Sequence, residues 1–145
     1  MNTFTRAVFA GIIGTIVMTL FMVLGAKMGM PKISPPDMLS SMLGISLTLG
    51  WSMHFMIGII FALSYSYLFG PRVKINNIYF KGITFGIAAF VFAQIMLAIM
   101  GTIFPMPIQE GNMVMVIMGS VVGHIVFGVT VALIAGPILA TKLNS

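Results

Sequence analysis

Long apolar runs separated by short polar segments dominate this chain, and charged residues are confined to the edges of the runs. A spanning helix needs roughly 20 mainly apolar residues to cross a hydrocarbon core about 30 Å thick. Four segments meet that length, over 5–25, 50–69, 81–103 and 112–139. They predict an all-α integral membrane protein, a four-transmembrane-helix bundle forming a single domain over 1–145. The first run, Ala7 to Ala26, exceeds the roughly 7 to 15 apolar residues of a secretory signal, and Ala26-Lys27-Met28 lacks a small-x-small cleavage pattern. It therefore reads as a span.

The first loop is the long one, and it has a pattern of its own. Ser34-Pro35-Pro36-Asp37 reads as a helix start: serine can cap, proline is tolerated in the first turn, and Asp37 stands at the acidic position of a capping box. Met38, Leu39, Met42 and Leu43 follow as a short apolar face, which predicts an interfacial helix over Pro35 to Leu43, lying on the outer leaflet or lidding the bundle.

Composition agrees with lipid as the main solvent. The chain is 59% hydrophobic and 6% charged, with a mean hydropathy of +1.14, whereas about a quarter of an average soluble protein is charged. The net charge of +5 comes from basic residues scattered singly at span edges, a pattern that orients a membrane protein and does not point to nucleic acid. Arg6, Arg72, Lys74, Lys81 and Lys142 fall on one side and Lys27 and Lys32 on the other. By the positive-inside rule both termini are expected in the cytoplasm, with Asp37 and Glu110 outside. The absence of cysteine excludes disulfides, thiolate metal sites and cysteine nucleophiles.

His54, Gly58 and Ala62 recur as His124, Gly128 and Ala132, each at an offset of 70 residues, and the small residues Gly50 and Ser120 precede the histidines by four. Arg6 and Lys81 open spans one and three, and Met30-Pro31 and Met106-Pro107 follow them. This predicts two parallel two-helix hairpin repeats, 1–74 and 75–145, with the histidines as symmetry mates at one depth. Small residues four apart let helices approach where lipid supplies no hydrophobic force between them. Such pairs occur in every span: Ala7 and Gly11, Ala10 and Gly14, Gly58 and Ala62, Gly82 and Gly86, Gly119 and Gly123, Gly128 and Ala132. They predict tight packing within the bundle, with a homodimer face as the alternative.

An ionisable residue inside a membrane is costly and marks a candidate site. His54 and His124 are the candidates, expected to face the bundle interior in the outer leaflet. Paired imidazoles suit a haem or a metal ion, and thioether sulfur suits Cu(I). Twelve of 15 methionines fall in the outer half or outer loops, and Met100 appears level with the histidines when counted from Lys81, so His54, His124 and Met100 form a candidate copper set. The reading preferred over haem or copper is two neutral histidines that hydrogen-bond across helices without a cofactor. Gln94, deep in span three, is expected to be a buried polar link between helices, and Trp51, Tyr65, Tyr67 and Tyr79 to anchor span ends. The chain has no paired carboxylates, phosphate loop or Ser-His-Asp set, and no acidic residue within a span.

The ordered elements Gly11-Ile-Ile-Gly-Thr-Ile-Val-Met18, Pro35-Pro-Asp37, Gly50-Trp-Ser-Met-His-Phe-Met-Ile-Gly58, Lys81-Gly-Ile-Thr-Phe-Gly86 and Gly123-His-Ile-Val-Phe-Gly128 resemble a group of small bacterial four-span membrane proteins catalogued as a domain of unknown function. The resemblance implies a bacterial inner-membrane protein and carries no activity, substrate or cofactor with it. The expected function is a non-enzymatic accessory or structural subunit engaging a membrane partner or lipid. A haem- or copper-binding protein and a small-molecule or lipid transporter are the alternatives.

Overall fold

The computed structural model describes residues 1–108 and 111–143, with side chains as far as Gly136. Glu110 and the side chain of Lys142, both used in the charge count above, lie outside that range. The described residues form six α-helices: α1 (Thr3–Lys27), α2 (Pro35–Leu43), α3 (Leu47–Ser64), α4 (Gly70–Arg72), α5 (Ile78–Gly101) and α6 (Met113–Leu143). Four stretches are long and apolar enough to cross a membrane: α1, Leu47–Arg72, α5 and Met113–Gly136. The architecture is the all-helical four-span one expected from the hydrophobic pattern.

The span starts have a common local cause. Asn2 Oδ1 accepts from the Thr5 N–H at 2.8 Å, and Ser46 Oγ from the Leu49 N–H at 3.4 Å. Asn77 Oδ1 accepts from the Tyr79 N–H at 2.9 Å, and Asn112 Oδ1 from the Val114 N–H at 2.9 Å. Each satisfies donors that a helix start leaves without an intrahelical partner. Helix α2 begins where expected, but by another device. Ser34 makes no side-chain cap bond, and Asp37 reaches back to Lys32 at 3.3 Å instead of closing a capping box. Two prolines in the first turn, whose missing N–H groups are not needed there, and Gly44 at φ 64° after the last turn delimit this helix.

Helix α1 packs between α3 and α6, α6 packs in turn on α5, and α2 lies against α3. Glycine sets the closest approaches. A Cβ on Gly11 would lie 2.6 Å from the Cα of Ile59, and one on Gly82 would lie 2.6 Å from the Cα of Val129. The first contact joins α1 to α3 and the second joins α5 to α6, so the same contact occurs in each half of the chain. Gly14 instead receives the Phe127 ring and Val131 from α6.

The remaining side, between α3 and α5, is closed by rings. Phe61 meets Phe92 edge-on at 5.8 Å, Tyr65 meets Phe85 at 5.0 Å, and Phe69 meets Phe85 at 5.2 Å. Here α3 widens into a π-helical turn over Tyr65–Phe69, closed by the Gly70 N–H on the Tyr65 carbonyl. Pro71, with no N–H to donate, follows directly. Tyr65, expected at a span end, is instead fully buried among these rings. It lies seven residues beyond Gly58 on the same helix face, so helical periodicity carries it inward.

Candidate functional site: the paired histidines

His54 lies on the buried stripe of α3 formed by Gly50, His54, Gly58 and Ala62. Spacing of four keeps these residues on one face, and that face meets α1 and α2. At Gly58 the facing hydroxyl of Thr15 occupies the space a Cβ would need, and at Gly50 the Pro36 carbonyl of α2 does so. The small residue before His54 therefore admits a neighbouring helix. The His54 ring is 9% exposed, with Trp51 edge-on at 6.2 Å and Phe55 at 6.4 Å. Neither of its nitrogens hydrogen-bonds another described residue.

His124 occupies the matching position on α6. Gly86 of α5 lies against its carbonyl, and the Phe90 ring meets its imidazole edge-on at 5.6 Å. Its Nδ1 is 2.8 Å from the Ser120 carbonyl. A carbonyl only accepts, so Nδ1 carries a proton and donates, and in the neutral ring the lone pair is on Nε2. His124 is half-buried. Both rings are held between helices.

The third member of the expected metal set is elsewhere. Met100 lies ten residues beyond Phe90, about 15 Å farther along α5, and so out of coordinating reach of the His124 ring. The count from Lys81 misplaced it because α5 and α6 are offset: Gly82 is opposite Val129, well short of Lys142. Among the described residues, no group of three His, Asp or Glu side chains converges to hold a metal ion.

Gln94 is a second correction. It lies on the exposed face of α5 and not in the interior. Helix α5 buries the stripe Gly82, Phe85, Gly86 and Ala89, and Gln94, five residues past Ala89, has turned to the far side. The glycines expected to pack helices also divide into two kinds. Gly11, Gly58, Gly82, Gly86 and Gly128 meet the facing helix closely, whereas Gly119 faces the ends of Ile33 and Met30, and Gly123 the methyl ends of Met22 and Met18. Ala62 and Ala132 are fully buried.

Sequence reasoning missed Tyr65 and Thr15. Thr15 is 1% exposed and donates from its hydroxyl to the Gly11 carbonyl at 2.8 Å, while the buried Tyr65 hydroxyl has no hydrogen-bond partner among the described residues. The signal for Thr15 was its place one turn after Gly11, on the face that meets α3.

The chemistry within reach is hydrogen bonding and ligation by imidazole, with no carboxylate beside either ring among the described residues. No curated protein and no solved structure is a significant match to the chain. The model of a family of unknown function, DUF6789, matches residues 1–141, and the chain belongs to that family.

Proposed function

We propose that the protein is a non-enzymatic accessory or structural subunit of a membrane, acting through its lateral surfaces on a membrane partner or lipid. The observation that carries this reading is the solid interior. Helices meet at backbone distance at Gly11 and Gly82, and rings fill the α3/α5 side. The crevice between α1 and the first loop, beside Phe21, Met22 and Met30, has a volume of about 10 Å³. A site that encloses a drug-sized ligand typically needs about 300–1,000 Å³; this crevice is far too small for one, whereas the open groove beside Met1, Arg6, Phe9 and Ile134 has a volume of about 510 Å³. At the end holding the termini, Arg6 donates to the Ile134 carbonyl and ties α1 to α6 beside an open surface groove.

We place the protein in a bacterial inner membrane with both termini cytoplasmic. Arg6, Arg72, Lys74 and Lys81 stand toward the termini, whereas Lys32 on the opposite side is paired with Asp37. The recurring Gly11–Ile59 and Gly82–Val129 contacts support an origin in two hairpin repeats. Purification from the native host in mild detergent tests the functional reading. A partner protein or a defined lipid that copurifies stoichiometrically is expected, and a bare monomer that associates with nothing overturns it.

A second reading, a ligand held between the imidazoles, is favoured by the free Nε2 lone pair of His124 and the unpartnered His54 ring. A visible spectrum and metal analysis decide it. A chromophore or metal lost in both His54→Ala and His124→Ala supports the site, and a colourless, metal-free native protein rejects it.

A further inference from the structure

Polar side chains in the spans mostly satisfy themselves locally. The hydroxyls of Thr15, Thr19, Ser52, Ser66, Thr84 and Thr130 each donate to the carbonyl four residues earlier. Gln94 does not. The side-chain hydrogen bonds in and around helix α5 are those of Asn77 at its start, Thr84 within it and Thr102 just after it, and Gln94 takes part in none of them. Its amide is exposed on α5, seven residues before the helix end at Gly101, about 10 Å inside the span. An amide in hydrocarbon without partners is costly. A partner that supplies both a donor and an acceptor at that depth would remove this cost.

The broad exposed face of α5 around Gln94 offers a register that a partner helix can follow. Thr84, Ile87, Val91, Gln94, Ala98 and Gly101 are spaced 3, 4, 3, 4 and 3 apart, and all six are exposed. That alternation is the a/d seam of a heptad repeat, which keeps facing a partner helix only if the two wind around each other in a left-handed supercoil. Ala98 and Gly101 at its outer end let backbones approach closely. A single polar residue in such a seam can set register and oligomer state, and an amide there is satisfied by another amide, which both donates and accepts.

We infer that this face docks a second copy of the same chain, forming a parallel α5–α5 dimer with Gln94 paired to Gln94. Two copies inserted with the same topology run parallel in the bilayer, so a two-fold axis along the membrane normal puts each seam residue opposite its counterpart at the same depth. An amide is self-complementary, donating from its nitrogen and accepting at its oxygen, so the pair satisfies what neither copy satisfies alone. The inference goes beyond the accessory role and stands independently of it.

Cross-linking in native membranes tests it directly, because the chain has no cysteine of its own. Val91→Cys and Ala98→Cys, in the seam, are expected to give a disulfide-linked dimer on mild oxidation. Met96→Cys, exposed on α5 but off the seam, is not. In detergent, Gln94→Leu is expected to weaken dimerisation about 3- to 30-fold, the range spanned by interhelical hydrogen bonds, and Gln94→Asn to lose less. Because Gln94 is exposed, a folding defect in the Leu variant is not expected, and the cysteine pairs retain the native glutamine in any case. A monomer with no cross-link at Val91 or Ala98 overturns the proposal. So does equal cross-linking at Met96, or a dimer indifferent to Gln94→Leu.

Discussion

At the scale of single residues, the fold depends on which atoms a glycine faces. A methyl group on Gly82 would strike the backbone of Val129, which cannot move without moving α6, whereas one on Gly119 would meet the ends of Ile33 and Met30, which can rotate away. Gly82→Ala is therefore expected to destabilise the protein by about 1–3 kcal/mol, as overpacking usually does. Gly119→Ala should change stability little, and reversible unfolding in mixed detergent micelles would measure both. Tyr65 makes the opposite case. Its hydroxyl is buried and unpartnered, and leaving such a group unsatisfied costs about 1–3 kcal/mol. Tyr65→Phe keeps the ring among Phe69 and Phe85 and removes that cost, so the variant should be at least as stable as the parent in the same assay. A clear loss of stability would mean that the hydroxyl has a partner in the membrane.

At the scale of elements, small and large residues at related positions shape the two sides of the bundle differently. Gly14 lets α1 settle against Phe127 and Val131 of α6. Phe85 stands 71 residues after Gly14, and Phe61 and Tyr65 stand 70 residues before Val131 and Ala135. The aromatic set wedges α3 from α5, while the small set draws α1 to α6. Truncating the wedge with Phe85→Ala should cost about 3–5 kcal/mol, typical of a buried phenylalanine. Helix α2 depends on Gly50 in the same way, because a side chain there would strike the Pro36 carbonyl. Gly50→Val is expected to release α2 while the four spans remain. The check is labelling of Met42→Cys by a membrane-impermeant maleimide. Met42 is 2% exposed, so its cysteine should react slowly in the parent and readily beside Gly50→Val. The exposed Lys32–Asp37 pair should matter little, since such pairs contribute about 0–1 kcal/mol.

At the scale of the whole molecule, topology is the first quantity to measure. With the termini cytoplasmic, Ser41→Cys in the first loop should label from outside intact cells, and Asn76→Cys between α4 and α5 should label only after permeabilisation. The reverse pattern would invert the orientation and move the histidines to the inner leaflet. The heptad seam on α5 belongs to this scale as well, because it joins two molecules by a face that the single bundle leaves open.

The helices and the interfacial element were legible in the sequence because each follows from local quantities. Run length against bilayer thickness gave the spans, and a proline pair marked the start of α2. The backbone-contact glycines and the buried stripe of His54, Gly58 and Ala62 were legible too, through spacings that one helix imposes on itself. Two neighbours decided what could not be read that way. The offset between α5 and α6 separated Met100 from His124, since residue counting gives depth along one helix and says nothing of how far another has slid. The rotation of α5 turned Gln94 outward, since an all-round apolar helix carries no stripe to show which face its partners will choose. Tyr65 continues the buried face of Gly58, and the rings of α5 that enclose it come from a neighbour. These are relations between helices, set by how side chains interlock across them, and only the tertiary structure contains that information.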